Sequence, residues 1–196
     1  MKIQKRGRYD TTQLVEDQAE PGSHGRVLRN LRGIFRKRDM NLIETREYYR
    51  ALDELVDVYD KQHRFTAADI RKMHRAWLGG IYPWAGKYRQ VNISKAGFHF
   101  AAAKYLTTLM DEFERGPLRR YTPCIFSTLD EIIRALAVVH VELVLIHPFR
   151  EGNGRLARLV ATFMSLQAGL PPLDFTGVRG TKRTEYFGAV RARDGS

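Results

Sequence analysis

Two long segments of helical apolar period meet at one short turn, Ile146-His147-Pro148-Phe149-Arg150-Glu151-Gly152-Asn153-Gly154-Arg155-Leu156-Ala157-Arg158, and that turn constrains the fold more than anything else in the chain. On the way in, Leu129, Ile132, Ile133, Leu136, Val139, His140 and Leu143 follow i, i+3, i+4, i+7 spacing, which predicts an amphipathic helix over 127–146. Thr128 or Ser127 stands at its N-cap. Pro148 disfavours helical geometry at the residue before it, so the helix ends at His147. On the way out, Leu156, Leu159, Val160, Phe163 and Leu166 mark a second helix that begins near Asn153 and stops at Gly169, ahead of Pro171-Pro172.

The turn has the composition of a phosphate site with a base beside it. Gly152-Asn153-Gly154 permits left-handed backbone, in which successive N–H groups point inward as an anion nest. The start of the second helix adds partial positive charge. Arg155 and Arg158, three apart, share a helix face and reach further phosphate oxygens. Glu151 is a hard oxygen ligand suited to Mg2+ on a polyphosphate. His147 accepts a proton near neutral pH. Phe149, apolar in a polar loop, is read as its anchor to the core. Each residue alone has a structural explanation, and the joint pattern carries the reading.

His147 to Arg158 resembles the Fic-domain signature His-x-Phe-x-(Asp/Glu)-Gly-Asn-Gly-Arg-x-x-Arg at every specified position. The resemblance runs from about Glu20 to Val190. Pro21-Gly-Ser-His-Gly-Arg-Val-Leu is similar to the opening segment of small Fic proteins, and Trp84-Ala-Gly-Lys-Tyr-Arg with Val91-Asn-Ile-Ser-Lys is similar to the segment leading into the family's flap. It implies an all-α Fic fold, a helical bundle with one β-hairpin flap, and a protein adenylyltransferase that takes ATP as substrate with Mg2+. Fic relatives that act as kinases carry Lys where Gly154 stands and Ala at Gly152, and phosphocholine-transferring relatives also alter the glycines. Glu151 replaces the commoner Asp of the signature.

The remaining chain is consistent with one domain. At 196 residues, 43% hydrophobic and 28% charged, it suffices for one real core. The single Cys124 excludes an intrachain disulfide framework and suits a reducing cytosol, so a cytoplasmic location is expected. There is no apolar run of membrane-spanning length, and the basic start has no apolar stretch after it, so neither a membrane span nor a signal peptide is expected. The net charge of +11 is spread in short clusters such as Arg36-Lys37-Arg38, which fits a basic surface or an acidic protein target better than specific nucleic-acid binding.

In order, residues 1–25 read as an N-terminal arm and 26–196 as the Fic domain. A short helix is expected over 26–33, and another over 39–59 with Ile43, Leu52, Leu55, Val56 and Tyr59 as its apolar set. Thr66 caps a helix running to Leu78. From Lys87 to Phe100, Tyr88, Val91 and Ile93, then Ser94-Lys-Ala-Gly, then Phe98 and Phe100 predict a β-hairpin. A helix over 101–114 turns Tyr105, Leu106, Leu109, Met110 and Phe113 inward and ends at Gly116-Pro117. Residues 181–190 close the domain as a helix, with Tyr186 read equally as a stacking partner for the base or as core.

The resemblance assigns further roles. Val91, Asn92 and Ile93 would bind a segment of the target by strand addition. Thr12-Gln-Leu-Val-Glu16 is similar to the family's inhibitory helix, so Glu16 would pair with Arg158 and displace the γ-phosphate; Thr181–Glu185 has the same spacing. The partners implied are a target protein with the modified hydroxyl and, if Glu16 is not the inhibitor, an antitoxin-like protein. The reverse reaction, another nucleotide, a non-catalytic interaction module and self-association all stay open at this level.

Overall fold

The computed structural model describes residues 13–95, 97–177, 181–182, 185 and 188–189. In chain order it has a 3-10 turn Val15–Asp17, then helices α1 (Lys37–Val56) and α2 (Ala67–Leu78). Strands β1 (Ser94–Lys95) and β2 (Phe98–His99) follow, then a 3-10 turn Ala103–Tyr105, α3 (Leu106–Phe113), a π turn Glu114–Leu118, α4 (Arg119–Tyr121), α5 (Leu129–Ile146) and α6 (Asn153–Gln167). The fold is therefore all-α with one small antiparallel hairpin. Among the described residues no helix is long and apolar enough to cross a membrane.

α6 is the centre of the bundle. Its buried residues run from Asn153 through Leu156, Val160 and Phe163 to Gln167 and come from all sides of the helix. A helix apolar on all sides belongs inside, and α5 and α2 both pack on it while α1 packs on α2. The N-termini expected for α2 and α5 are present as reciprocal capping boxes. The Thr66 side chain accepts from Asp69 N–H while Asp69 accepts from Thr66 N–H, and Thr128 does the same with Glu131.

Several expectations fail for identifiable reasons. Residues 26–33 are not helical. Leu28 forms an isolated antiparallel bridge with Ala19, and the Asn30 side chain is occupied by turn contacts, accepting from the N–H groups of Arg32 and Ile34 and donating to Ile34 O. The buried stripe of α1 is Met40, Glu44, Glu47, Ala51 and Leu55, whereas Val56 is exposed. Two carboxylates therefore lie on a face that an apolar count skips. Leu129 and Ile133 are exposed at the start of α5, and Tyr105 is exposed before α3. Gly116-Pro117 does not stop the chain of helices. Pro117 sits inside the π turn, whose wider bonding accommodates a ring with no N–H to give, and α4 continues from it.

The hairpin is much shorter than its pattern. Ser94↔His99 and Lys95↔Phe98 pair, and one further bond, Phe100 N–H to Ile93 O at 3.1 Å, flanks them; Ala96 of the turn lies outside the described residues. Val91 leaves the strand pattern because it is drawn into the core. Of the closing segment, Thr181, Lys182, Glu185, Gly188 and Ala189 are helical; Tyr186 lies outside the described residues.

Candidate active site

The site begins with a strained residue. α5 ends at His147, whose backbone is left-handed at φ 52°, ψ 57°. Pro148 removes the helical alternative, and a left-handed conformation costs a residue with a Cβ about 1–2 kcal/mol. Arg89 holds the chain there. This arginine is buried, and its guanidinium is satisfied by three carbonyls: Nε donates to His147 O at 2.8 Å, Nη1 to Val91 O at 2.6 Å and Nη2 to Ala101 O at 2.5 Å. Its own N–H donates to Pro148 O at 2.9 Å. Burial lowers its pKa to about 10, which still leaves it charged at neutral pH. One side chain thus joins the start of the hairpin, the end of the hairpin and the turn carrying His147.

The His147 ring is fixed on both sides. Nδ1 lies 3.1 Å from Val144 O, and a carbonyl only accepts, so Nδ1 carries the hydrogen and Nε2 is the proton acceptor. The ring stacks on Phe100 at 3.7 Å. Desolvation, with smaller contributions from the charges of Arg89 and Lys95, lowers its pKa to about 4. At neutral pH it is an uncharged base.

Behind the turn, His74 braces the loop from the buried face of α2. It is fully buried and accepts the Gly86 N–H on Nδ1 at 2.8 Å, so its Nε2–H donates to Glu151 O at 3.1 Å. Its ring stacks on Phe149 at 3.9 Å. Phe149 is fully buried, as expected of the loop's anchor. Asn153 is not a phosphate ligand through its side chain. That side chain is spent on the loop itself, accepting the Phe149 N–H at 2.9 Å and donating to Phe149 O at 2.7 Å. Its backbone N–H, with that of Gly154, stays in the first helical turn, where donors have no partner within the helix.

The two glycines differ. Gly152 is left-handed at φ 87°, and a Cβ there would lie 2.8 Å from the Trp77 ring. A Cβ at Gly154 would meet no atom within 4 Å. Gly152 is needed by the fold, whereas the space beside Gly154 belongs to the cleft.

That cleft, of about 590 Å³, is bounded on one side by Ile93, Ser94, Lys95 and Phe100 of the hairpin and on the other by His147, the 150–155 turn and Arg158. His147, Glu151, Gly152, Asn153, Gly154, Arg155 and Arg158 therefore do line one cavity. Glu151 Oε1 accepts the Gly152 N–H at 3.0 Å and lies 3.6 Å from Arg155 Nη2. Arg155 Nη2 also lies 2.7 Å from Glu44 Oε2, and its guanidinium stands 4.6 Å over the Trp77 ring. Arg158 packs over Phe175 at 5.1 Å; its buried Nε has no hydrogen-bond partner among the described residues. A second cavity of about 460 Å³, between α1, α6 and residues 172–176, shares Arg155 and Arg158 with the first.

Of the flap residues, only Ile93 faces the cleft. Val91 is buried with its carbonyl on Arg89, and the Asn92 side chain accepts the Ala103 N–H at 2.8 Å, capping the next turn of helix. Glu16 is not paired with Arg158. Its buried carboxylate accepts the Gln90 N–H at 2.6 Å, at the start of the hairpin, while Asp17 pairs with Arg150 at 3.4 Å. Thr12 lies outside the described residues; Leu14 is extended, and the 3-10 turn that carries Glu16 begins only at Val15.

A helical bundle with the signature loop between its two core helices and a hairpin across that loop defines the class. The family model of the Fic/DOC family matches residues 64–165, and the chain belongs to that family. It is 34% identical over 131 residues to "Protein adenylyltransferase fic-1" of Caenorhabditis briggsae, covering 66% of this chain and 24% of that protein. It is 36% identical over 123 residues to "Protein adenylyltransferase Fic" of Drosophila melanogaster, covering 62% and 23%. The chain thus spans about a quarter of the length of these curated relatives. Among solved structures, the fold is similar to the BepC protein of Bartonella tribocorum with bound AMPPNP, at TM-score 0.66 and 20% identity over 81% of each chain. It is also similar to the N-terminal Fic domain of a Bep effector from Bartonella sp. AR 15-3, at TM-score 0.69 and 19% identity over 91% of this chain and 84% of that one.

The glycine pair gives a direct test. Gly152→Ala is expected to destabilise the protein by about 2 kcal/mol or more, from backbone strain plus overpacking on Trp77. Gly154→Ala is expected to leave stability unchanged or slightly raised, since Ala is the better helix former. Urea unfolding of both variants, followed by far-UV circular dichroism, decides; equal losses would contradict the assignment.

Proposed function

We propose that this domain moves AMP from ATP to a Ser, Thr or Tyr hydroxyl of a target protein. The observation that carries the reading is an uncharged imidazole, with Nε2 as its acceptor, in the same cleft as a glycine-rich helix start and two arginines. The names of the relatives and the nucleotide bound to BepC support ATP as the donor.

The target hydroxyl oxygen attacks the α-phosphorus while Nε2 of His147 takes the hydroxyl proton. The bond from that phosphorus to the oxygen bridging to the β-phosphate breaks, and pyrophosphate leaves. The N–H groups of Asn153 and Gly154 and the dipole of α6 stabilise the charge on the α-phosphate. Arg155 neutralises the β-phosphate side and Arg158 fixes the γ-phosphate. Among the described residues no three His, Cys, Asp or Glu side chains cluster as a protein-only metal cage. Mg2+ on a polyphosphate needs only one or two carboxylates, and the partly exposed Glu151 carboxylate fits that demand. Glu151 would hold the ion, which when bound neutralises charge on the phosphates.

The target segment adds along the edge of β1 that β2 leaves free, with Ile93 and Lys95 toward the acceptor residue. An antitoxin-like partner fits the second cavity, where a carboxylate it supplied would meet Arg158 and take the γ-phosphate's place.

With α-labelled ATP, Mg2+ and a cell lysate, wild type is expected to label a protein band. His147→Ala is expected to lose about 10²–10⁴ in transfer rate while calorimetry shows ATP still bound. Transfer at wild-type rate by the folded variant would remove His147 from the mechanism. The lowered pKa also fixes the acid limb of kcat/KM. The base form exists above the folded pKa, so activity is expected to hold through pH 6 and 5 and to fall as pH drops through about 4. A fall near 6.5 in a protein that is still folded would mean that the catalytic base is not buried as described.

A further inference from the structure

One guanidinium nitrogen in the cleft lies between two carboxylates. Arg155 Nη2 is 2.7 Å from Glu44 Oε2 and 3.6 Å from Glu151 Oε1. The two acids are not equivalent. The Glu44 side chain is 1% exposed, and the Glu151 side chain 39%. Glu44 Oε1 accepts the Tyr82 hydroxyl at 2.7 Å, and its backbone carbonyl accepts Trp77 Nε1–H at 2.8 Å. Trp77 in turn carries the Arg155 guanidinium on its ring. Glu44 is therefore fixed, with both carboxylate oxygens engaged.

We infer that Glu44 is a positioning residue: it keeps the Arg155 guanidinium just beyond hydrogen-bond distance of Glu151 and so leaves the Glu151 carboxylate available to a divalent cation on the nucleotide. The inference rests on the nucleotide reading above. A buried carboxylate without its partner is strongly unfavourable, so Glu44 retains the guanidinium. An exposed ion pair is worth little, so Glu151 does not draw it away. The competition reverses when Glu44 loses its charge. A hydrogen bond to an ionised acceptor is about twice as strong as one to a neutral amide. Arg155, one helical turn from Glu151, would then close on it and occupy the oxygens that the cation needs.

The test is a Mg2+ titration of AMPPNP binding to the full chain, read by calorimetry. Glu44→Gln is isosteric, and it is expected to raise the Mg2+ concentration for half-maximal AMPPNP binding about tenfold, the usual scale for residues that orient metal ligands. AMP binding measured without Mg2+ is expected to stay within about threefold, because Arg155 and the cation act on the outer phosphates. Glu44→Asp keeps the charge and is expected to restore most of the Mg2+ response. The decisive background is Arg155→Ala, in which adding Glu44→Gln is expected to move the Mg2+ midpoint no further. A merely structural Glu44 would give the same loss with or without Arg155, and that result, or an unchanged midpoint in Glu44→Gln alone, overturns the inference. Wild type that binds neither AMPPNP nor AMP overturns the nucleotide reading, and this inference with it.

Discussion

A single buried guanidinium holds the site together. Arg89 gives three side-chain hydrogen bonds to carbonyls of His147, Val91 and Ala101, and its N–H bonds Pro148. None of these partners is a carboxylate, so the charge is solvated by backbone dipoles, of which the buried Val91 carbonyl would otherwise lack this donor. Each such unsatisfied group would cost about 1–3 kcal/mol. That reciprocity makes the arrangement rigid: neither the arginine nor the three peptide groups has a better partner. It also accounts for the left-handed His147, since strain of about 1–3 kcal/mol persists only where the surroundings over-determine it.

Other contacts extend the same principle outward. Glu16 accepts the next N–H along, that of Gln90, and Asp17 meets Arg150 in the signature turn. The 3-10 turn from Val15 to Asp17 therefore braces the hairpin start and the loop together. From the opposite side, His74 bonds Glu151 O and stacks on Phe149. The cleft-facing groups are thus carried on a loop fixed by side chains that do not line the cleft.

Much of this was legible in the sequence. The signature turn, both core helices and the N-caps at Thr66 and Thr128 follow from local chemistry, as does the stop that Pro148 sets at His147. Local rules work there because the partners are a few residues apart. The long-range partners were not legible. Arg89 reads as an ordinary polar residue between Tyr88 and Val91, and only tertiary structure shows that it is buried. His74 does carry a signal, since it lies on the apolar stripe of Ile70, Met73 and Trp77. Glu44 carries one too, four residues after Met40 and seven before Ala51, on the stripe that an apolar count places elsewhere. Val91 is buried with its carbonyl on Arg89, so it does not join the hairpin ladder, and Glu16 is held at the Gln90 N–H rather than at Arg158.

Hydrogen exchange of Arg89→Lys, read by mass spectrometry beside wild type, tests the account most directly. Lysine keeps the charge but cannot bond three carbonyls along the guanidinium's fixed directions. Exchange is expected to rise together in residues 90–102 and 147–150, with α1 and α6 unchanged. Unchanged exchange in either segment, or an equal rise across every helix, would contradict the claim that Arg89 joins the hairpin to the turn carrying His147.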